Sequence, residues 1–245
     1  MVEQRTGVSG LAVESIAHMW GAKQALEDVS FTVGRGQFCA LLGPNGAGKS
    51  TLFGLLTRLF TPRAGAISVA GYNLQRSPRN ALRHIGVVFQ QQTIDLDLTV
   101  RHNLLYFAAL HGLSGREAEI RATAVLERLG MAERAGERAA TLNGGHRRRM
   151  EIARALIHKP SVLLLDEPTV GLDAATRSAI VKHVHGLATD EGLAVLWATH
   201  LVDEVWPEDR LVVLHRGRVI ASGEAGVIGG ADLAGRFIAL TGGAS

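Results

Sequence analysis

The feature that most limits how this chain can fold is a glycine-rich loop between an apolar run and a helical pattern. Residues 38–42 are all apolar and predict a short buried strand. After the loop, leucines recur at helical spacing, at positions 52, 55, 56 and 59. The loop itself, residues 43–51, reads Gly-Pro-Asn-Gly-Ala-Gly-Lys-Ser-Thr and matches the pattern G-x-x-x-x-G-K-[ST]. A strand, this loop and a helix N-terminus together form a cradle for phosphate, because backbone N–H groups and the helix dipole attract anions.

This phosphate-binding loop (the P-loop, residues 43–51) predicts specific roles for its polar side chains. Lys49 can reach the outer phosphates of a nucleotide, and the Ser50 hydroxyl can ligate Mg²⁺. The alternative is an ordinary glycine-rich turn. Such a turn would not explain why a lysine and a serine stand at the fixed positions after the glycines. The residues predicted to bind the nucleotide here are Gly43, Asn45, Gly46, Gly48, Lys49, Ser50 and Thr51.

A second apolar run ends in two consecutive carboxylates. Residues 162–165 are apolar and are followed by Asp166 and Glu167. Such a run predicts a strand buried in a parallel sheet, and ligands of open α/β sheets bind at the C-terminal edge of the strands. Asp166 therefore fits a carboxylate beside Mg²⁺, and Glu167 fits a base that polarises water for attack on the γ-phosphate. Read alone, the pair could equally cap a turn, but the P-loop favours the catalytic interpretation.

With these two segments, several separate motifs make the chain resemble the ATP-binding subunit of ABC transporters, from about Leu11 to Gly223. They occur in the family's order. Trp20 stands at the position of the aromatic residue that stacks on adenine, and Gln90 stands in the Q-loop. The signature loop (residues 142–146), the end of the Walker B strand (166–169), the D-loop (171–173) and the switch motif Ala-Thr-His with His200 follow. Stacking of an indole on a base is worth about 1–3 kcal/mol and tolerates tryptophan in place of tyrosine.

The resemblance implies ATP and Mg²⁺ as cofactors and gives roles to individual residues. The residues it makes catalytic are Glu167, His200 and Gln90, and those it makes metal ligands are Ser50, Gln90 and Asp166. His200 is expected to hydrogen-bond the γ-phosphate, although a lone histidine after a strand is more often structural. The signature residues Asn143, Gly144 and Gly145 are expected to contact the ATP held by a partner subunit.

The signature loop departs from the family's usual Leu-Ser-Gly-Gly-Gln and reads Leu-Asn-Gly-Gly-His, residues 142–146. Asn143 can replace serine in two ways, as a helix N-cap and through an amide NH₂ that donates to phosphate. His146 can donate one hydrogen bond when neutral, and a nearby triphosphate would favour its protonated form. The effect of these two departures on turnover stays open. Three arginines follow at 147–149, and we expect at least two of the three to form a solvated helix face rather than a nucleic-acid contact.

Around these motifs, the alternation of apolar and polar residues predicts the remaining elements. Antiparallel strands flanking the P-loop strand are predicted where apolar residues alternate, at 29, 31 and 33 and at 67 and 69. Between Gln90 and Leu142 strand patterns disappear. A capping-box pattern at 114–117 opens a helix there, whose apolar residues 120, 124, 126 and 129 face one side before Gly130 ends it. The predicted fold class is α/β, a P-loop NTPase core with a parallel sheet, a small antiparallel β-subdomain and an inserted helical subdomain.

We expect one ABC ATP-binding domain over residues 9–225, with the helical insertion at about 91–156 and a loosely packed C-terminal tail over 226–245. Apolar residues at 180, 181, 184 and 187 predict an amphipathic crossover helix. Apolar runs on both sides of Arg216-Gly217 predict a hairpin. Cys39 is expected to act as a small hydrophobic residue in a buried strand. No internal repeat is found, so one nucleotide-binding domain is predicted rather than a tandem pair.

Composition limits the remaining function classes. A formal net charge of +3 over 245 residues is too weak to argue for nucleic-acid binding. One cysteine excludes a disulfide framework, and no apolar run is long enough to cross a bilayer. No apolar signal segment follows residues 1–5. A soluble, cytoplasmic protein is therefore expected.

These observations predict an ATPase that powers a membrane transporter from the inner face of the cell membrane. The expected partners are an integral membrane permease and a second nucleotide-binding subunit, with a homodimer expected and no nucleic acid. Residues 98–104 and the arginines after the signature resemble the exporter branch that handles drugs, lipids or polysaccharides. Two alternatives remain: a soluble ABC ATPase serving a cytosolic assembly machine, and a nucleotide-sensing regulatory subunit that hydrolyses ATP poorly because of Asn143 and His146.

Overall fold

The computed structural model describes residues 10–242, which form ten strands and eight α-helices in an α/β arrangement. The strands are β1 (Leu11–Trp20), β2 (Lys23–Val33), β3 (Phe38–Leu42), β4 (Ala64–Val69), β5 (Tyr72–Asn73), β6 (Ile85–Val88), β7 (Val162–Asp166), β8 (Ala194–Thr199), β9 (Arg210–His215) and β10 (Arg218–Glu224). The helices are α1 (Lys49–Leu56), α2 (Pro78–Leu82), α3 (Val100–Leu110), α4 (Gly115–Arg128), α5 (Gly144–Leu156), α6 (Ala174–Glu191), α7 (Ala225–Gly229) and α8 (Leu233–Thr241). None of these helices has the length and apolar character needed to cross a membrane.

Six strands form the central sheet, in the order β10-β9-β3-β8-β7-β6. All neighbours are parallel except β10, which returns antiparallel to β9 across the predicted hairpin at Arg216-Gly217. Both turn residues have positive φ, as a two-residue hairpin turn requires. The predicted buried strand at 38–42 is β3, which lies between β8 and β9. The carboxyl ends of β3, β7 and β8 therefore meet at one edge of the sheet.

The central sheet is covered on both faces, which explains why its strands are continuously apolar. One face packs on α1 and the antiparallel strands, and the other packs on α5, α6 and the helical segment after Gln90. Cys39 lies in β3 with no exposed surface, and burial raises the pKa of its thiol to about 12. It therefore acts as the small hydrophobic residue that the sequence predicts.

A second, antiparallel sheet of four strands has the order β2-β1-β4-β5. The alternating residues at 29, 31 and 33 and at 67 and 69 lie in its strands with their apolar side chains buried, as predicted. The prediction that these strands flank the P-loop strand is wrong, since they belong to a separate sheet that packs on α1. Trp20 is the last residue of β1 and pairs with Lys23 of β2.

The segment between Gln90 and α5 contains α3, α4 and two short 3-10 turns, with one isolated bridge between Thr99 and Arg138 in place of a sheet. This agrees with the predicted helical insertion. Ser114 precedes α4, but its side chain makes no capping hydrogen bond, and Gly130 ends the helix with φ of +63°.

The inward face of α4 differs from the predicted one. Its buried residues are Ala118, Ala122, Val125 and Leu126, and Leu129, which caps the helix, is buried too. Ile120, predicted to face inward, is 58% exposed, and Ala124 is exposed too. Position 120 lies two residues, or about 200° around the helix, from position 118. Leu126 and Leu129 are correctly predicted, but the remainder of the stripe belongs to the alanines and Val125.

The end of helix α1 and the structure of the C-terminal tail also differ from the predictions. Helix α1 ends at Leu56, so Leu59 lies beyond it and is 71% exposed. The tail predicted to pack loosely contains α8, which Asp232 caps by accepting a hydrogen bond from the Gly235 N–H at 2.8 Å. Leu233 and Phe237 of α8 pack partly buried against the core. The predicted absence of a signal segment after residues 1–5 lies outside the described residues.

Candidate nucleotide-binding site

The P-loop connects β3 to α1 through a backbone that only glycine tolerates at key points. Gly46 and Gly48 have φ of +79° and +112°. A Cβ atom on Gly48 would lie 2.8 Å from Leu26 Cδ2, and one on Gly43 would lie 2.5 Å from the Leu214 carbonyl oxygen. The loop is therefore closely supported from behind by β2 and β9, which leaves its other side open to a ligand.

A cavity of about 450 Å³ lies in front of the P-loop, within the usual range for small-molecule sites. Among the residues predicted to bind nucleotide, it is lined by Trp20, Asn45, Gly46, Gly48, Lys49, Ser50 and Thr51, together with Gln90 and Glu167. Six other lining residues were not predicted to bind nucleotide: Lys23, Gln24, Ala25, Ala47, Arg216 and Gly217. Ala47 lies in the P-loop itself, and the other five reach the cavity from the start of β2 and from the β9–β10 turn.

The β9–β10 turn supports the P-loop directly. The Gly217 N–H donates to the Ala47 carbonyl at 2.9 Å, and the Gly217 carbonyl accepts from the Glu27 N–H at 2.8 Å. Gly43 is held from another side, where its N–H donates to the Thr199 carbonyl at 3.2 Å. The shape of the loop thus depends on residues far away in the sequence.

Lys49 is buried, and its side chain hydrogen-bonds the backbone of the P-loop itself. Its Nζ donates to the Gly43 carbonyl at 2.6 Å and to the Pro44 carbonyl at 3.2 Å, and it lies 3.2 Å from Glu167 Oε1. The ammonium group is compensated by this carboxylate and by backbone oxygens. Phosphate oxygens would offer the same ammonium group stronger, charge-assisted partners.

Glu167 is the point where side chains from three strand ends meet. Its backbone has φ of +45°, an uncommon conformation for a residue with a side chain. Gln90, after β6, places Nε2 3.3 Å from Glu167 Oε2, and His200, after β8, places Nδ1 3.4 Å from Glu167 Oε1. The structure therefore brings together Lys49, Gln90, Glu167 and His200, and their chemical roles stay predictions.

Asp166 has the properties expected of a carboxylate that binds a cation. Burial, reinforced by the neighbouring Glu167 charge and opposed by Lys49, raises the pKa of Asp166 to about 6. Its Oδ1 is buried and has no hydrogen-bond partner among residues 10–242. An unpaired buried carboxylate oxygen is costly, and a metal ion would satisfy it.

The donor set fits Mg²⁺ better than a metal held by protein alone. Within the described part of the chain, no group of three or more His, Cys, Asp or Glu side chains could hold a metal. Mg²⁺ usually binds through one or two protein oxygens plus substrate phosphates and water. Asp166 and Ser50 can supply those oxygens beside the P-loop, with Gln90 at the same edge.

Trp20 stands at one end of the cavity and is 50% exposed. Its Nε1 donates to Thr51 Oγ1 at 3.3 Å, which links the indole to the P-loop helix. The rings of His18 and Phe60 each lie with centroids 4.8 Å from the Trp20 ring, in edge-to-face arrangement. The indole is therefore held in place while half of its surface stays open to a flat ligand.

The comparisons with known proteins agree with this arrangement. A family model described as ABC transporter matches residues 26–170, more than half of the chain. This chain belongs to the ABC transporter ATP-binding family. Members of this family bind and hydrolyse ATP. The predicted resemblance and the fold class are thereby confirmed.

Two curated relatives are similar to this chain over most of its length. The linearmycin resistance ATP-binding protein LnrL of Bacillus subtilis is 38% identical over 214 residues, which cover 87% of this chain and 68% of that protein. The Nod factor export ATP-binding protein I of Rhizobium meliloti is 41% identical over 212 residues, which cover 86% of this chain and 63% of that protein. The chain thus spans about two thirds of the length of these relatives.

Solved ABC cassettes have the same fold. A structure of an ATP-binding subunit of an ABC transporter superposes with a TM-score of 0.81 at 32% identity, covering 94% of this chain and 99% of that one. The cbiO1 protein of Clostridium perfringens, described as part of the transporter complex cbiONQ, gives 0.85 at 29% identity over 95% of both chains. A bacterial cassette solved as a dimer gives 0.76 at 26% identity, over 87% of this chain and 98% of that one.

The signature loop of this ABC cassette lies apart from the chain's own cavity. Asn143 is exposed and caps α5, since its Oδ1 accepts a hydrogen bond from the His146 N–H at 2.9 Å. Gly144 and Gly145 form the first turn of the same helix. Burial and the nearby positive charges of Arg134 and Arg149 lower the pKa of His146. In the absence of nucleotide, His146 therefore favours its neutral form.

The arginines after the signature do not form a simple solvated face. Arg148 is 6% exposed, pairs with Glu151 at 2.8 Å, and donates to the carbonyls of Phe89 and Gln90 at 2.9 and 3.2 Å. Arg147 donates to the carbonyls of Ala139 and Ala140. Arg147 and Arg149 stay partly exposed, so only Arg148 departs from the predicted solvated face. It is buried because carbonyls outside regular ladders need donors, and arginine supplies several. Arg148 thereby connects the signature helix to the Q-loop.

Proposed function

We propose that this chain is the ATP-hydrolysing subunit of an ABC exporter of the drug, lipid or polysaccharide type, acting at the cytoplasmic face of a membrane. The observation that carries the proposal is the meeting of Lys49, Gln90, Glu167 and His200 beside the P-loop cavity. Cation, amide, carboxylate and imidazole groups at one sheet edge supply what phosphoryl transfer to water needs, namely charge compensation and an oriented nucleophile.

In this proposal the P-loop amides and Lys49 hold the β- and γ-phosphates, and Glu167 polarises the attacking water. His200 donates a hydrogen bond to the γ-phosphate. Ser50, Gln90 and Asp166 would hold Mg²⁺, which neutralises phosphate charge when bound. Phosphate binding draws Lys49 away from Glu167 and leaves that carboxylate free to accept a proton from water.

A second copy of the chain would complete the site. Asn143, Gly144 and Gly145 are exposed or partly exposed at the start of α5 and do not line the chain's own cavity. The Asn143 Oδ1 is used by the cap, which leaves the NH₂ of this exposed side chain to donate to an outside acceptor. A phosphate held by another subunit suits this donor, as does the N-terminus of α5. The dimeric solved cassette supports such a pairing.

The transport direction rests on the relatives. Their names describe linearmycin resistance, Nod factor export and probable multidrug transport. The test is purification of the tagged chain from detergent-solubilised membranes of its source organism. We expect an integral membrane protein to co-purify and the complex to hydrolyse ATP. Recovery with soluble partners alone would instead favour an ATPase of a cytosolic assembly machine, and a complex without ATPase activity would favour a regulatory subunit.

Replacement of Trp20 tests the proposed adenine platform. Trp20→Ala is expected to weaken binding of ATP and GTP alike by roughly 5- to 150-fold, because loss of stacking costs about 1–3 kcal/mol. The two nucleotides should be affected equally, since stacking depends on the flat face of the base and not on its hydrogen-bonding groups. Isothermal calorimetry on the purified chain measures both affinities. Tyr106→Ala, at an exposed aromatic residue of α3, serves as the control. Unchanged affinities in Trp20→Ala would place the base elsewhere.

A further inference from the structure

A buried carboxylate joins two loops of the proposed catalytic edge. Glu204 lies in the short 3-10 turn Val202–Glu204, four residues after His200, and is 1% exposed. Its Oε2 accepts a hydrogen bond from Trp197 Nε1 at 2.9 Å, and its Oε1 accepts one from the Thr169 hydroxyl. Both donors are neutral side chains. Burial of a carboxylate is costly, so its retention here needs a reason beyond packing.

The two donors lie beside the two groups that face each other at the site. Thr169 follows Glu167 by two residues, in a turn closed by the Val170 N–H and the Glu167 carbonyl at 3.3 Å. Trp197 lies fully buried in β8, three residues before His200. Strands β7 and β8 are adjacent and parallel, with Asp166 opposite Ala198. Glu204 thus bridges the turn that carries Glu167 and the strand that carries His200.

A backbone hydrogen bond from the Glu167 N–H to the Ala198 carbonyl, at 3.0 Å, also joins the ends of β7 and β8. The other side-chain anchors of the His200 loop (residues 200–204) lie within the loop or at the surface. The Leu201 N–H donates to Thr199 Oγ1 at 3.0 Å, within the loop itself. Asp203 pairs with Arg177 of α6 at 2.9 Å, but the aspartate side chain is 66% exposed and such pairs contribute little. Among the side-chain anchors, only Glu204 reaches the turn after Glu167.

We propose that Glu204 is a positioning residue, which holds the Glu167 turn and the His200 loop in register for ATP hydrolysis. The inference rests on the proposed roles of Glu167 and His200. The two side chains lie 3.4 Å apart, between Glu167 Oε1 and His200 Nδ1. Loss of the Glu204 bridge would let the two loops shift separately, and a displacement of about 1 Å can cost up to about 100-fold in rate.

Substitutions at Thr169 test the bridge with little change of volume. Thr169→Val removes the hydroxyl donor, and we expect kcat for ATP to fall between about tenfold and 100-fold. The KM for ATP should stay within about twofold, since the cavity residues are untouched. Thr169→Ser keeps the hydroxyl and is expected to retain the parental kcat. The measurements are steady-state ATPase kinetics of the purified full chain, with thermal unfolding recorded for each variant.

A second variant and a control make the test independent of Thr169 alone. Glu204→Met keeps an unbranched side chain of similar length but offers neither donor a strong acceptor, so it should lower kcat as Thr169→Val does. The double variant should show no further loss, because both changes break one bridge. Asp203→Asn removes only the exposed ion pair of the same loop and should keep the parental kcat.

Several results would overturn the proposal. These are a parental kcat in Thr169→Val and Glu204→Met, or equal impairment of Thr169→Ser and Thr169→Val. Failure of both Thr169→Val and Glu204→Met to fold would also overturn it, because the role would then be structural. Glu167→Gln, measured in parallel, separates this inference from the proposed function. Hydrolysis by Glu167→Gln would contradict the proposed function itself. Loss in Glu167→Gln with parental rates in the other variants would remove only the role of Glu204.

Discussion

Purified Glu167→Gln protein is expected to bind ATP normally and to hydrolyse it at least about 10²-fold more slowly than the parent, the lower end of general-base effects. Glutamine keeps the size of the side chain and can still accept a hydrogen bond from Gln90, but it cannot take a proton from water. Lys49 loses a counter-charge 3.2 Å away, and phosphates supply a new one. The stalled state should accumulate as an ATP-bound dimer.

Hydrolysis is measured by phosphate release, and dimerisation by gel filtration with and without Mg²⁺-ATP. Glu208→Gln, at an exposed acid in the turn before β9, is the matched control and should behave as the parent does. Near-normal phosphate release by Glu167→Gln would show that another group activates the water.

The Asn143→Asp substitution should abolish productive pairing of two subunits while leaving each subunit folded. Aspartate is as good an N-cap as asparagine, so α5 keeps its start and its hydrogen bond from the His146 N–H. The new carboxylate has no donor for phosphate and carries a like charge in a closely packed interface. We expect ATPase activity to fall by at least about 10²-fold, as when a transition-state donor is removed. Binding of ATP to the monomer should not change.

Asn143→Ser is the control for that substitution, because the serine hydroxyl both caps a helix and donates to phosphate. It should keep ATP-dependent dimerisation and hydrolysis. The readouts are ATPase rate, gel filtration with ATP, and calorimetric ATP affinity at concentrations that keep the chain monomeric. Dimerisation and hydrolysis by Asn143→Asp at parental levels would mean that this loop does not face phosphate.

Local pattern was enough to predict the elements that hold the site. The strand at 38–42, the strand that ends at Asp166, the crossover helix α6 and the β9–β10 hairpin were all predicted from apolar runs, helical spacing and turn residues, and the structure has them. Each of these signals lies within about ten residues, so the sequence carries it without knowledge of the fold. Gln90 and His200 were assigned to the site by the family resemblance, and the structure places them beside Glu167 because each follows a strand of the same parallel sheet.

What the sequence could not predict depends on contacts between distant residues. The burial of Arg148 requires the carbonyls of residues 89 and 90 to lie beside α5. The inward face of α4 is decided by its neighbours, and the apolar Ile120 alone gave the wrong direction. Glu204 looks like an ordinary acidic residue in the sequence, since its donors lie 7 and 35 residues away.

Because β3 lies between β8 and β9, the phosphate site cannot reach its final shape until these strands are synthesised. The P-loop strand is synthesised well before both strands that flank it, which come from residues 194–199 and 210–215. At about 5–20 residues per second, a growing polypeptide leaves the P-loop strand without either neighbour for roughly 8–30 seconds. The turn at Gly217 that supports the loop emerges later still. On the ribosome, the phosphate cradle is therefore translated well before the strands and the turn that fix its final shape.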